Sequence, residues 1–421
     1  MNSRDRIGLA INHKEADRVP VDLGGSRVSS MHVSTVYRLR QALKLDKPGT
    51  PVKVIEPVQM LGEIGNDLLD AIGGDVLGLF APKTSFGYAL ENWKSWTLFD
   101  GTPVLVPECF NTDPESSGDI LMYPQGDKTA PASGRMPKDG FYFDMIIRQQ
   151  PVDEDALNPL DNVEEYKPVG EDALSYYARE IERLYDNSER AVLANFGGTG
   201  FGDISTIPGV ALKQPKGIRD VEEWYISLFA RQDYVKAMFE KQCEVGLANL
   251  EKIYKIVGEK PSIAYTSGTD FGTQNGPFLS PQTYRDLFKP FHKIINDWVH
   301  KNTNWKTFVH SCGSIWDLMD DMVDAGFEIF NPVQCSASCM DPKALKQRYG
   351  QQITFWGGGV DTQKTLPFGT PEEVREEVKR RLEIFMPGGG FVFNSVHNIQ
   401  ANTPIENMLA MWETVKEYGK Y

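Results

Sequence analysis

The sequence predicts an α/β protein folded as a (β/α)8 TIM barrel. Three observations carry that reading: eight short apolar segments, helix-start signals in the stretches between them, and polar residues closing each strand. The first predicted strand covers 19–24 (VPVDLG), where Pro20 has no N–H for a ladder and must sit at the strand start. The second and third cover 75–80 (DVLGLF) and 191–198 (AVLANFGG). After residue 260 the alternation becomes regular, with strands at 262–270 (SIAYTSGTD), 307–314 (TFVHSCGS), 327–334 (FEIFNPVQ), 353–360 (ITFWGGGV) and 391–397 (FVFNSVH). Each is short enough for a buried strand. Helices between them open on a capping residue followed by proline, at Ser280-Pro281, Asp341-Pro342, Thr370-Pro371 and Thr403-Pro404. Thr370 and Thr403 are followed three residues later by Glu373 and Glu406, the pattern of a capping box. Two amphipathic helices fill 220–257. The stretch 85–160, with Trp93, Trp96, an Asp100-Gly101 turn and many prolines, breaks the rhythm and reads as a β-rich insertion after the second strand, within a single domain spanning 1–421. An open doubly wound sheet is the alternative architecture.

Composition excludes several classes of function. The 421 residues carry 44 basic and 58 acidic side chains, a net charge of −14, and the basic residues are scattered, which disfavours nucleic acid or an anionic membrane as partner. No uncharged apolar run approaches the roughly 18 residues of a membrane span, and MNSRDRIGLAINHKEADR lacks the apolar stretch of a signal peptide, so a cytoplasmic location is expected. Five cysteines are too few for a disulfide scaffold in so long a chain.

In a barrel of this kind the site lies at the C-terminal ends of the strands. There the sequence places Asp270, Gln274 and Asn275 after strand four, His310 and Cys312 after strand five, Asn331 and Gln334 after strand six, Asp361 after strand seven, and Asn394 and His397 after strand eight. His310 and Cys312 are two apart on a strand, and alternation puts both on one face, able to share one metal. Zinc suits such ligands because it accepts imidazole and thiolate together. The competing reading is a buried His beside a small core Cys, and Cys335 and Cys339 offer a rival C-x3-C. Cys109 and Cys243 read as structural. His13, His32, His292 and His300 read as helix-surface or packing residues. Asp270 suits a metal ligand, a general base or a simple loop cap. Gln274, Asn275 and Gln334 can donate and accept, which suits orienting an oxygenated substrate.

The segments TSGTDFGTQNGPFLSPQTYRDLFKPFHK, FVHSCGSIWDLMDDMVDAGFEIFNPVQ, FWGGGVDTQKTLPFGTPEEV and GGGFVFNSVHNIQANTPIENMLAMW resemble the superfamily of uroporphyrinogen decarboxylase and the cobalamin-dependent zinc methyltransferases. The resemblance is strong over 255–415 and loose before it, and it implies a (β/α)8 barrel. The decarboxylase branch carries an arginine-rich Arg-Gln-Ala-Gly-Arg segment near the first strand. This chain has Leu23-Gly24-Gly25-Ser26-Arg27 instead, which argues against a porphyrinogen substrate. The methyltransferase branch carries His-x-Cys and a third zinc ligand after strand eight, commonly Cys, where this chain has His397. The form at 397–400 (HNIQ) looks most like the methyltransferase component of corrinoid-dependent O-demethylases.

That resemblance implies zinc on His310, Cys312 and His397 acting as a Lewis acid on the ether oxygen of a methoxylated, aromatic donor. Asp270 would be a fourth ligand or proton source, Gln274, Asn275 and Gln334 would orient ring substituents, and Phe196, Phe271 and Trp356, with Asp361, would line the substrate site. No His has Asp two residues before it, as a corrinoid-binding Asp-x-His-x-x-Gly would require, so the corrinoid is expected on a partner protein. A homodimer is compatible with this reading. The alternatives are transfer from a methyl-corrinoid to a thiol or tetrahydrofolate, a metal-free decarboxylase, and a barrel that only binds a ligand.

Overall fold

The computed structural model describes residues 1–421. Its centre is a curled, all-parallel seven-stranded sheet in the spatial order Phe391–Val392, Thr354–Trp356, Ile329–Asn331, Lys306–His310, Ile263–Ser267, Ala191–Asn195 and Val76–Phe80. Spatial order follows chain order throughout, as successive strand-helix units require. The two edges of the sheet meet through residues 19–22. The Phe393 N–H donates to the Pro20 carbonyl (2.8 Å), the Asp22 N–H to the Phe393 carbonyl (2.9 Å), and the Asp75 N–H to the Val21 carbonyl (2.8 Å). The expected first strand is therefore present as a closing segment with a single parallel bridge, Val21 to Phe393. Pro20 supplies no N–H to extend it.

Alternation sorts the side chains into two layers. Val76, Ala191, Leu193, Ile263, Phe308, Ile329, Trp356 and Val392 fill the interior, plugged at the N-terminal end by Ile7, Ala10 and Ile11. That plug rides on the helix Ser3–Ala10, which starts where the Asn2 side chain accepts the Asp5 N–H. The opposite parity (Leu79, Val192, Ala194, Ala264) packs outward on Tyr177, Ile181, Ile253 and Val257. At the plugged end, buried Asp75 accepts from Arg6 and Arg18 (2.7 Å each) and from the Val21 N–H (2.9 Å), tying the closing segment to the second strand.

Helices form where their caps predict them. Asp220 caps Val221–Ala230 through the Glu222 and Glu223 N–H groups, and Gln232–Val257 follows it. Thr370 and Glu373 make the expected capping box. Thr403 does not: the last helix, Ile405–Tyr418, starts after Pro404 with no side-chain cap. No helix is long and apolar enough to cross a membrane.

Between the second and third barrel strands the chain is β-rich, but the boundaries differ from 85–160. Lys94–Thr97 and Pro103–Val106 form a hairpin whose second strand pairs in parallel with Val52–Glu56, itself paired with Leu61–Gly62. The sheet thus recruits a segment from before the second barrel strand. Ile120–Met122, Gly134–Met136 and Asp144–Met145 form a separate meander, and no strand follows before 191. One buried cluster runs from Val54 and Val104 to Phe355 and Met411, so these sheets share the core of the barrel.

Candidate metal centre

At the C-terminal mouth the strand ends bring His310, Cys312 and His397 together, with their ligand atoms all within 4.8 Å of one another. The Cys312 sulfur is 3.4 Å from His310 Nε2, and the His310 and His397 rings stand edge to face at 5.5 Å. A zinc ion with bonds of roughly 2.0–2.3 Å holds tetrahedral ligands about 3.3–3.8 Å apart, so this donor set fits one after a small contraction.

Each ligand is prepared by its surroundings. Asn331 donates through Nδ2 to the Trp356 carbonyl (2.9 Å), which turns its Oδ1 toward His310 Nδ1 at 2.6 Å. His310 therefore carries its proton on Nδ1 and offers the Nε2 lone pair to the site, the tautomer a metal needs. Burial, with His310 adding to it, lowers the His397 pKa to about 4, so this imidazole is neutral at physiological pH. Burial and the nearby Asp270 carboxylate raise the Cys312 thiol well above its ordinary value, so the thiolate forms only when a cation replaces the proton. Asp270 accepts the Cys312 N–H (2.7 Å) and reaches 3.8 Å from His310 Nε2, combining the cap role with a position beside the metal ligands. Replacing Asn331 with alanine is expected to lower zinc affinity by about 10- to 100-fold. Competition against a chelator measures this, and unchanged affinity would show that Asn331 does not orient His310.

The centre opens on a cavity of about 670 Å³, reached by Asp270, His310 and His397 on one side and by Arg27, Glu56 and Gln59 on another. His397 is held by its neighbour. Asn398, wholly buried, accepts the Ser30 N–H (2.7 Å) and donates to the Arg27 carbonyl and to Gln59 Oε1 (2.8 Å each).

Several residues expected to touch substrate lie elsewhere. Phe196 has the outward parity and packs on Tyr177 and Trp305. Phe271 is buried among Tyr284, Phe288 and His292. Trp356 is fully buried in the barrel, its Nε1 donating to Asp22 (2.8 Å), a carboxyl that burial raises to about 6. Gln334 accepts the Gly313 N–H (2.7 Å) and so shapes the turn after Cys312. Asp361 caps its own turn through the Gln363 and Lys364 N–H groups. Gln274 and Asn275 sit on an exposed turn, where Gln274 donates to Gln363 (2.9 Å). Cys335 and Cys339 stand outside the ligand group. The cavity wall is built instead by residues the sequence did not single out, notably Phe80, Tyr166, Asp203 and Tyr265.

An α/β barrel with a His-Cys-His centre at its mouth defines the class. The sequence model of the uroporphyrinogen decarboxylase (URO-D) family matches residues 140–418, and the chain belongs to this family. Uroporphyrinogen decarboxylase from Mannheimia succiniciproducens is 26% identical over 153 residues, 34% of this chain and 40% of that protein. The chain thus aligns with less than half the length of that relative. The enzyme of the same name from Prochlorococcus marinus (strain NATL1A) is 23% identical over 295 residues, 68% of this chain and 76% of that one. Among solved structures, a methyltransferase from Methanosarcina mazei superposes with a TM-score of 0.56 at 15% identity, covering 99% of both chains, a likeness of fold.

Proposed function

We propose that the protein is a cytoplasmic, zinc-dependent methyltransferase that moves a methyl group from a methoxylated aromatic substrate to the Co(I) corrinoid of a partner protein. The observation that carries this reading is the cluster of His310, Cys312 and His397, with His310 and His397 facing the cavity at the barrel mouth. A zinc ion there would supply Lewis acidity to the departing oxygen. His310 would offer its Nε2 lone pair, Cys312 its thiolate and His397 a neutral imidazole, and Asp270, 3.8 Å from His310 Nε2, would be available as a further ligand. Phe80, Tyr166 and Tyr265 give the cavity aromatic walls for a ring in place of Phe196, Phe271 and Trp356.

The lining also bears on the decarboxylase alternative. Arg27 is its one basic Lys or Arg side chain, against the carboxylates of Glu56, Asp203 and Asp270, while Glu165 is paired with the buried Arg219 (2.9 Å). Such a wall repels a polyacidic tetrapyrrole. Incubating the zinc-loaded protein with a reduced corrinoid protein and a panel of methoxylated aromatics is expected to release the matching phenol. Methyl transfer only from a methylated corrinoid to a thiol or tetrahydrofolate would overturn the donor assignment, and decarboxylation without metal would overturn the whole reading.

A further inference from the structure

Facing the metal ligands across the cavity is a second polar pair. Tyr265 belongs to the strand Ile263–Ser267 and points into the barrel, its ring stacked on Phe308 at 5.2 Å. Asp203 comes from the loop after the third strand, where its Oδ1 accepts the Ser205 N–H at 2.8 Å. The two meet over Gly268: a β-carbon there would stand 2.7 Å from the Tyr265 hydroxyl and 3.4 Å from Asp203 Oδ2. Any side chain at 268 would collide with the Tyr265 hydroxyl. Both residues line the cavity that also contains Asp270, His310 and His397.

We propose that Asp203 and Tyr265 are the proton-donating side of the site, holding the proton that the departing oxygen takes when its methyl group leaves. This rests on the methyl-ether reading above. The carbon–oxygen bond breaks with its electron pair left on oxygen, and the methyl group passes to the two-electron cobalt nucleophile of the corrinoid partner. The oxygen takes its proton from the Asp203 carboxyl while the Tyr265 hydroxyl donates a hydrogen bond to that oxygen, and a proton from bulk solvent restores the carboxyl. Desolvation raises the Asp203 pKa to about 6, the Asp270 charge adding to it, which keeps a protonated fraction near neutrality. Burial, with the charges of Asp203 and Asp270 adding to it, holds the Tyr265 phenol well above its ordinary value, so it serves as a hydrogen-bond donor and not as an anion. The other groups facing Asp203 are His310 across the mouth and Tyr166 and Tyr225 from the neighbouring segments.

The test uses 4-nitrocatechol, whose phenol and phenolate absorb at different wavelengths, titrated into the purified metal-free protein across a pH series. The Asp203 charge disfavours a second anion beside it, so the bound probe should ionise at higher pH than in water. Asp203→Asn and Tyr265→Phe preserve the Ser205 contact and the ring stack. Asp203→Asn should bring the ionisation midpoint down by about one pH unit, tenfold in ionisation constant. Tyr265→Phe should weaken binding of the phenol form by roughly 5-fold, one neutral hydrogen bond. Binding with an unchanged midpoint and affinity in both variants would overturn the proton-donor assignment while leaving the methyl-ether reading intact. Failure of the wild type to bind the probe would instead remove the phenol product, and with it the reading on which the assignment rests.

Discussion

Cys312→Ala and His397→Ala proteins are expected to contain no zinc, and the wild type about one ion per chain. Elemental analysis of the three purified proteins measures this directly. The expectation follows from the donor set: removing one of three protein ligands leaves two, too few to hold zinc against water and the remaining buried groups. Methyl transfer is expected to vanish with the ion, because the departing oxygen loses its electrophile. The pH dependence has a definite sign. Cys312 is a protonated thiol in the free site and a thiolate in the loaded one, so binding expels its proton and apparent affinity falls as pH is lowered. The His397 contribution is flat down to about pH 4, since burial keeps that ring neutral above it. A folded wild type that takes up no zinc, or a Cys312→Ala protein that keeps full activity without it, would defeat the metal assignment.

Asp75→Ala is expected to cost about 3 kcal/mol of folding stability, the low end of the penalty for breaking a buried ionic cluster, because Arg6 retains Asp17. Arg6, at 8% side-chain exposure, keeps Asp17 at 2.7 Å but loses the partner of its Nη1, and Arg18, 30% exposed, loses its carboxylate. The carboxylate also accepts the Val21 N–H, so the substitution loosens the segment that joins the two edges of the sheet. Urea unfolding measures the loss, and hydrogen exchange at Val21 and Asp22 locates it. A change below 1 kcal/mol would show that the seam is held by packing alone.

Much of this architecture is legible in the sequence because parallel strands buried on both faces read as short apolar runs between capped helices. The His-x-Cys pattern is equally visible, since both side chains leave a strand end on one face. Parity explains the clearest difference. Val192, Ala194 and Phe196 share one face, and with Ala191 and Leu193 inside the barrel, Phe196 must point to the helices. Asp203 was hidden because it follows a glycine-rich turn in which Gly197, Gly198 and Gly202 all have positive φ, so no periodic pattern carries through it. Tyr265 looked like any other apolar strand residue, and only the burial of the opposite face separates it from core. Val52–Glu56 was missed because its nearby partner, Leu61–Gly62, is only two residues long and its parallel partner lies about fifty residues downstream, beyond the reach of local pattern.

Asn398 couples two parts of the molecule that chemistry would otherwise treat separately. One amide fixes the backbone beside a metal ligand and, through Arg27 and Gln59, part of the wall a substrate meets. Free energy shared in this way is reciprocal: whatever the ion contributes to ordering that wall, a ligand pressing on the wall returns to the ion. A ligand in the cavity and an ion at this centre would thus be two ends of one equilibrium, each affinity depending on the occupancy of the other.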